Sequence, residues 1–350
     1  MTEKTLSLII PAYNMETYLR GCLGSLVVSP ARMEQLEVLV VNDGSSDKTS
    51  EVAHEWQRRY PRTVVAIDKE NGNYGSCVNC GLSLATGKYV KVLDADDSFD
   101  TTALEKYLLF LHDVDADLII SDFCIVDMQG NVTETCTYSL PIDKPFSLSA
   151  LSKRDVKWLW HHAIAYRTSI LKSMSYRQTE GVSYTDDEWI FKPMTAVKSI
   201  RYFPHYLYRY LRGREGQTFD PKVLQKTFRQ RMVVMESMLR FFASSYAEAP
   251  VEAQGYLRHK LLLRLESIYH YMLVANRNDE NNRCLVDFDH HVKTLSADAY
   301  QMMDGVRDRL TGFRYIHTWR VKGYRYRIPT LFILYMKHKS RRIMKKMKLI

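Results

Sequence analysis

Four strand-length apolar runs, alternating with helical repeats, constrain this chain more than any other feature. They are LSLIIPAY (6–13), LEVLVVND (36–43), TVVAID (63–68) and YVKVLDADD (89–97). Runs of this kind suit strands buried on both faces of a sheet. Between them, METYLRGCLGSLVVS sets Leu19, Cys22, Leu23 and Leu26 at helical spacing. SEVAHEWQRRY reads as a second helix, and NGNYGSCVNCGLSLATG as a Gly-rich turn running into a third. Strand–helix units in series imply parallel strands with helices on both faces. Ligands of such sheets bind beyond the carboxyl ends of the strands. Those ends carry Pro11 to Asn14, Asn42, Asp43, Asp68 and Asp94 to Asp97.

After Thr101 the pattern loosens. DLIISDFCIVDM, the turn QGN and VTETCTYS predict a hairpin. From Pro221 onward long helical stretches dominate, at 221–245, 252–276 and 298–310. Met232, Met235 and Met238 are expected in the core of that region. The expected fold class is α/β, a Rossmann-like, mostly parallel sheet with a helical C-terminal region. No stretch approaches the ~20 apolar residues of a spanning helix. The N-terminus lacks a basic segment and a cleavage pattern, so a cytoplasmic chain with free thiols is expected. Cys77 and Cys80 form a single CxxC with no second pair to close a zinc site.

Four constellations carry chemistry. In LDADDS, Asp94, Asp96 and Asp97 crowd the end of a strand, and like charges this close call for a neutralising cation. Hard divalent ions take such ligands and bridge them to phosphates. The bland alternative is a cap for the helix at Thr101. In VVNDGSSDKT, helix capping explains Ser45, Ser46 or Asp47, but not Asp43 at the ligand edge. IIPAYN with Glu16 offers a strand-to-helix junction for a nucleotide. Neither G-x-G-x-x-G nor G-x-x-x-x-G-K-[ST] occurs, which argues against a dinucleotide oxidoreductase or a P-loop NTPase. In SYTDDEWIF, Asp186, Asp187 and Glu188 either begin a helix or include a general base. His161 and His162 are candidates for the acceptor or a metal, and His205 for an extra metal ligand.

IIPAYNMETYL, VLVVNDGSSDKT, ENGNYGSCVNCGLSLATGKYVKVLDADD and YTDDEWIF stand in the order and approximate spacing of glycosyltransferase family 2. The resemblance covers roughly residues 4–215. It implies an inverting, metal-dependent enzyme with the GT-A nucleotide-diphospho-sugar transferase fold. It also implies that Pro11, Ala12, Tyr13, Asn14 and Asp43 hold the nucleoside, with Glu16, Asn71, Gly75 and Ala95 in the same nucleotide-sugar site. Asp94 would contact the ribose or sugar side, and Asp96 the divalent cation (Mn²⁺ or Mg²⁺) on the diphosphate. Aligned on Trp189, Asp186 matches the base. Thr185 stands where the family often has Glu, which leaves Asp187 as a rival. Arg212, Arg214 and Gln217 resemble a segment that closes over the diphosphate or acceptor, and His162 and Trp189 are grouped with the acceptor.

The resemblance divides the chain into a catalytic domain over 1–217 and a helical region over 218–350. Within the first, 1–100 would bind the nucleotide sugar and 101–217 the acceptor. The expected function is transfer of a sugar, from a UDP-sugar, to a glycan or lipid-linked acceptor in bacterial cell-surface polysaccharide synthesis. The alternative is a catalytically silent sugar-nucleotide-binding or scaffold protein of the same fold. Nothing in the sequence sets the oligomeric state, and a homo-oligomer is compatible with it.

Charge bears on location. The 350 residues carry +9, from 49 Lys+Arg against 40 Asp+Glu. Residues 309–350 hold 13 of the basic residues and no acidic one, leaving 36 basic against 40 acidic elsewhere. This pattern excludes a protein that coats nucleic acid all over, and no nucleic-acid recognition motif is present. It predicts instead a basic tail docked on an anionic membrane, the inner face of the cell membrane. Leu331, Phe332, Leu334, Tyr335 and Met336 would be its apolar part.

Overall fold

The computed structural model describes residues 4–214, 221–309 and 311–346. The chain forms two compact units. One comprises Met1–Gln230 and Ala249–Tyr256, the other Arg231–Glu248 and Leu257–Ile350.

The first unit is built on a nine-stranded sheet. Strands β1 (Leu6–Ala12), β2 (Leu36–Asp43), β3 (Val64–Lys69) and β4 (Tyr89–Val92) are the four runs expected from the sequence. All of β2 and β4, and all of β1 but Pro11, are buried. They pair in parallel, and Ala12, Asn42 and Asp68 lie in register across the carboxyl edge. Helices α1 (Glu16–Gly24), α2 (Thr49–Arg59) and α3 (Asn73–Leu84) connect them. Gly44, at φ +69°, turns the chain sharply after β2, where a side chain would be strained.

Beyond β4 the sheet continues through β5 (Ser98–Phe99), β6 (Leu118–Val126), β7 (Val132–Cys136), β8 (Ile164–Arg167) and β9 (Ile200–Leu211). The spatial order is β3-β2-β1-β4-β8-β6-β9-β5, with β7 on β6 as the expected hairpin. Strands β6 and β9 run with β1–β4, so six strands share one direction. Strands β5, β7 and β8 run against them. The reversed β8 matters for the site. It pairs Tyr89 with Arg167 and Val90 with Tyr166. Extending that register outward sets His162 opposite Asp94 and His161 opposite Ala95.

The second unit is helical. Met232, Met235 and Met238 are buried in it, as expected. Helix Asp279–Leu295, whose polar start DENNR hid it in the sequence, buries Leu285, Phe288 and Val292. Arg320 donates to both oxygens of the buried Asp289, and Tyr269 donates to the same carboxylate at 2.5 Å. The final helix, Pro329–Lys346, corrects one expectation about the tail. Leu331 and Leu334 are buried in the unit, so the exposed apolar side chains are Phe332, Ile333 and Met336. No helix among the described residues is long and apolar enough to cross a membrane. All six cysteines are free.

Candidate functional site

The site begins where β4 ends. The Leu93 N–H donates to the Ile9 carbonyl at 2.9 Å, and Asp94 follows beyond the edge. The Tyr74 hydroxyl, in the first turn of α3, donates to Asp94 Oδ1 at 2.8 Å. Asp94 Oδ2 faces His161 Nε2 at 3.2 Å. The Asp94 N–H donates to the Tyr208 hydroxyl at 3.1 Å, and that hydroxyl donates to Asp97 Oδ2 at 2.6 Å. Asp97 Oδ1 accepts from the Leu211 N–H at 2.7 Å. Helix Thr101–Asp113 (α4) is capped by Asp100, which accepts from Ala103, so none of the three clustered aspartates is needed as its cap. They divide their tasks instead. Asp97 fastens β9, Asp96 faces Arg214 Nε at 2.9 Å, and Asp94 faces His161.

These contacts set the charges. Burial opposes ionisation of Asp94, but His161, Tyr74 and Arg214 together outweigh it and hold its pKa below the usual carboxylate range. Burial and then Asp94 push Asp96 up, despite Arg214. Burial, Asp96 and Asp94 push Asp97 well above its usual value. For His161 burial works against the charge, but Asp94 and Asp186 prevail and raise it. Burial, followed by His161, Lys91 and Arg212, keeps His162 well below its usual value and therefore neutral. Lys91, fully buried on β4, is lowered by burial to about 7 and donates to the carbonyls of His162 (2.6 Å) and Ile164 (3.1 Å).

The acidic run at 186–188 arrives from another part of the chain and splits likewise. Asp186–Trp189 is a single helical turn. Asp186 Oδ2 lies 3.9 Å from His161 Nδ1, and its side chain is 37% exposed. His161 thus stands between the carboxylates of Asp94 and Asp186. Asp187 is half-buried beside it. Glu188 is fully buried and accepts from the Thr179 N–H (2.6 Å), the Thr179 hydroxyl (2.9 Å) and Lys192 (2.5 Å), a structural role. Trp189 is a correction. It is 1% exposed, with its ring edge-on to Tyr166 and Tyr176. An aromatic in the core cannot touch an acceptor.

On the nucleoside side, two loops are laced together. Asn14, at φ +53°, accepts from the Ser46 N–H at 2.9 Å. Glu16 Oε2 accepts from the Lys48 N–H at 2.9 Å, and the Glu16 N–H donates to Asp47 at 3.0 Å. Pro11 and Ala12 end β1, while Tyr13 is half exposed. Asp43 Oδ1 accepts from Lys69 (2.7 Å) and the Gly72 N–H (2.9 Å), and Asn71 Nδ2 donates to the Asp43 carbonyl at 2.9 Å. Ala95 is buried between the paired aspartates. Gly75 has a packing reason of its own, since a Cβ there would lie 2.1 Å from the Thr179 carbonyl oxygen. Arg212 pairs with Glu134 at 2.9 Å and lies over the Tyr210 ring. Arg214, besides its bond to Asp96, lies over Tyr18. His205 is not brought to Asp94. It lies three residues before Tyr208, the β9 residue that meets Asp94, roughly 10 Å along an extended strand, with its ring on Phe203. Gln217 lies outside the described residues.

Sequence reasoning missed Tyr74, Tyr208, Lys69 and Lys91. A lysine inside an apolar strand was the one available signal, because such a residue must find carbonyls or a charge. The donor set at Asp94 fits a divalent cation. Carboxylate oxygens stand at Asp94 and Asp96, and the imidazoles of His161 and His162 lie within 4.8 Å of the Asp94 carboxylate.

A parallel edge carrying clustered aspartates, followed by a reversed strand, is the architecture of the GT-A nucleotide-diphospho-sugar transferases. Residues 7–174 match the family model of glycosyl transferase family 2. The chain is 30% identical over 216 residues to the uncharacterized glycosyltransferase YibD of Escherichia coli, across 59% of this chain and 60% of that protein. It is 34% identical over 138 residues to the minor teichoic acid biosynthesis protein GgaB of Bacillus subtilis, across 38% of this chain and 15% of that protein. It therefore spans less than two thirds of the length of either relative. Among solved structures, S. aureus TarS 1–349 in complex with UDP-GlcNAc superposes with a TM-score of 0.67. That match covers 97% of this chain and 91% of TarS 1–349 at 21% identity, and shows a shared fold.

Proposed function

We propose that this chain is an inverting glycosyltransferase. It moves a sugar from a nucleotide-diphosphate donor, a UDP-sugar, to a glycan or lipid-linked acceptor in bacterial cell-surface polysaccharide synthesis. One observation carries this reading. Asp94, after β4, and Asp186, from a distant segment, face the two nitrogens of a single imidazole, His161, at the carboxyl edge of the parallel strands. A donor-side carboxylate and an accessible second carboxylate in one site are what single displacement at a sugar carbon requires. The Pro11–Glu16 loop and Asp43 line the side where a nucleoside would rest. Asp186 removes the proton from the acceptor hydroxyl as that oxygen attacks the anomeric carbon opposite the diphosphate, so configuration inverts. Arg214 offers a guanidinium to the diphosphate. A divalent cation, Mn²⁺ or Mg²⁺, held by Asp94 and Asp96 would supply Lewis-acid stabilisation of the leaving group's charge. The names of GgaB and of the TarS complex support a cell-envelope setting and a UDP-sugar.

The test is a thermal-shift panel of nucleotide sugars with Mn²⁺ or Mg²⁺. A ligand that binds only the folded state at a hundred times its Kd adds about 2.7 kcal/mol of stability, so a UDP-sugar raises the melting temperature. If none of the panel does, the donor-site reading fails.

The final helix supports a peripheral place on the inner face of the membrane. Phe332, Ile333 and Met336 are 54%, 42% and 45% exposed beside the exposed Lys337, Lys339 and Arg341. Each basic residue near an anionic surface contributes about 1 kcal/mol. Substituting Ser for all three apolar residues in the full chain is expected to release it from phosphatidylserine-containing vesicles in a sedimentation assay. Equal retention of the variant would leave this face without a membrane role.

A further inference from the structure

We infer that His161 and His162 join Asp94 as ligands of the divalent cation, giving its site two imidazole nitrogens and suiting it to an ion that accepts nitrogen. The inference deepens the donor-site reading above and rests on it for the location of Asp94. The donor atoms of the three side chains lie within 4.8 Å of one another. They come from two segments that the β4–β8 pairing brings together, so the grouping is set by the sheet rather than by a flexible loop.

His162 is the observation that asks for a ligand. It is 5% exposed and enclosed by Phe123, Trp160, Tyr208 and Tyr210, whose ring centroids lie 4.6–5.8 Å from its own. Neither of its ring nitrogens has a hydrogen-bond partner among the described residues. Buried polar atoms are nearly always satisfied, and one that is not needs a reason. A bound cation supplies one.

The surroundings resemble those that orient metal ligands. The Tyr74 hydroxyl holds the second oxygen of Asp94 at 2.8 Å. Lys91 anchors the turn that presents both histidines by donating to the carbonyls of His162 and Ile164. One oxygen of Asp96 meets the Arg214 guanidinium at 2.9 Å, so that carboxylate is shared between the arginine and the ion. Ligand chemistry then sets selectivity. Carboxylate, carbonyl and water sites suit Mg²⁺, Ca²⁺ and Mn²⁺, whereas imidazole suits Zn²⁺, Cu²⁺, Fe²⁺ and Ni²⁺, and affinity at a mixed site rises from Mn²⁺ through Co²⁺. The site should therefore hold Co²⁺ or Zn²⁺ most tightly, and Mn²⁺, the weakest of the transition ions, still in preference to Mg²⁺.

The experiment uses the full chain with Mn²⁺ alone, without nucleotide, read by pulsed electron paramagnetic resonance. Couplings to directly bound imidazole nitrogen are expected, and an excess of Mg²⁺ should not remove them. His162→Phe, which preserves the aromatic packing, is expected to weaken Mn²⁺ binding at least about tenfold, the loss that even an outer-sphere partner's removal causes. The wild-type spectrum decides the matter whether or not that variant folds. A spectrum without bound nitrogen overturns the inference, whether manganese is held through carboxylates alone or not held at all. Neither outcome touches nucleotide-sugar binding, which the thermal shift reads separately.

Discussion

Asp186→Asn is expected to lower sugar transfer about 10²–10⁴-fold, the contribution of a positioned general base, while the protein stays folded. The substitution keeps the shape of the side chain and removes its ability to take a proton. Two features make Asp186 the better choice over its neighbours. It faces His161, which also faces Asp94, so it shares a site with the donor-side carboxylate. Its side chain is 37% exposed and open to an incoming hydroxyl. Glu188 is excluded, because it is fully buried and bonded to Thr179 and Lys192. The measurement compares kcat/KM for Asp186→Asn and Asp187→Asn on the same donor and acceptor, with circular dichroism confirming the fold. Near-full transfer by Asp186→Asn, with loss in Asp187→Asn, would reverse the assignment. Donor binding should survive in both variants, which separates a lost base from a lost site.

Trp189→Ala is expected to cost about 3–5 kcal/mol of stability, the usual range for removing a buried Trp or Phe side chain. The ring is 1% exposed and makes edge-on contacts with Tyr166 at 5.2 Å and Tyr176 at 5.7 Å. Its indole nitrogen has no hydrogen-bond partner among the described residues. Trp189→Phe should therefore lose much less, because the aromatic packing is kept and an unpaired donor is removed. Denaturant unfolding of the three proteins checks both statements. If Trp189→Ala unfolds at the wild-type midpoint and instead raises KM for the acceptor, the core assignment is wrong.

The two variants mark where sequence reasoning reaches and where it stops. Strands β1 to β4 were legible because burial on both faces leaves an unbroken apolar run. The ends of those runs located Pro11–Asn14, Asp43 and Asp94 at one edge. The meeting of His161 with Asp94 was not legible, because it depends on β8 running backwards beside β4, a pairing of segments far apart in the chain. Nor could periodicity tell which member of an acidic or aromatic cluster turns inward. In DDEW, Asp186 faces the site, whereas Glu188 and Trp189 fill the interior. The same limit applies to the last helix, where Leu331 and Leu334 are core and Ile333 is surface. A short helix or an isolated apolar patch takes its inward face from its neighbours.

The division of the chain into units has a consequence for how such a protein can be taken apart. Residues 249–256 return to the first unit after 231–248 have contributed to the second. Within that returning segment the Tyr256 hydroxyl donates to the Ile190 carbonyl at 2.6 Å, directly beside Trp189. One protease cut, wherever it falls, leaves each fragment with part of the other unit or without part of its own. A chain ended at Gln230 would lack Tyr256 and its bond to the Ile190 carbonyl. The helical region is therefore not a module that recombination could exchange at a single crossover. Its first helices are inherited together with Tyr256 and that residue's bond to Ile190.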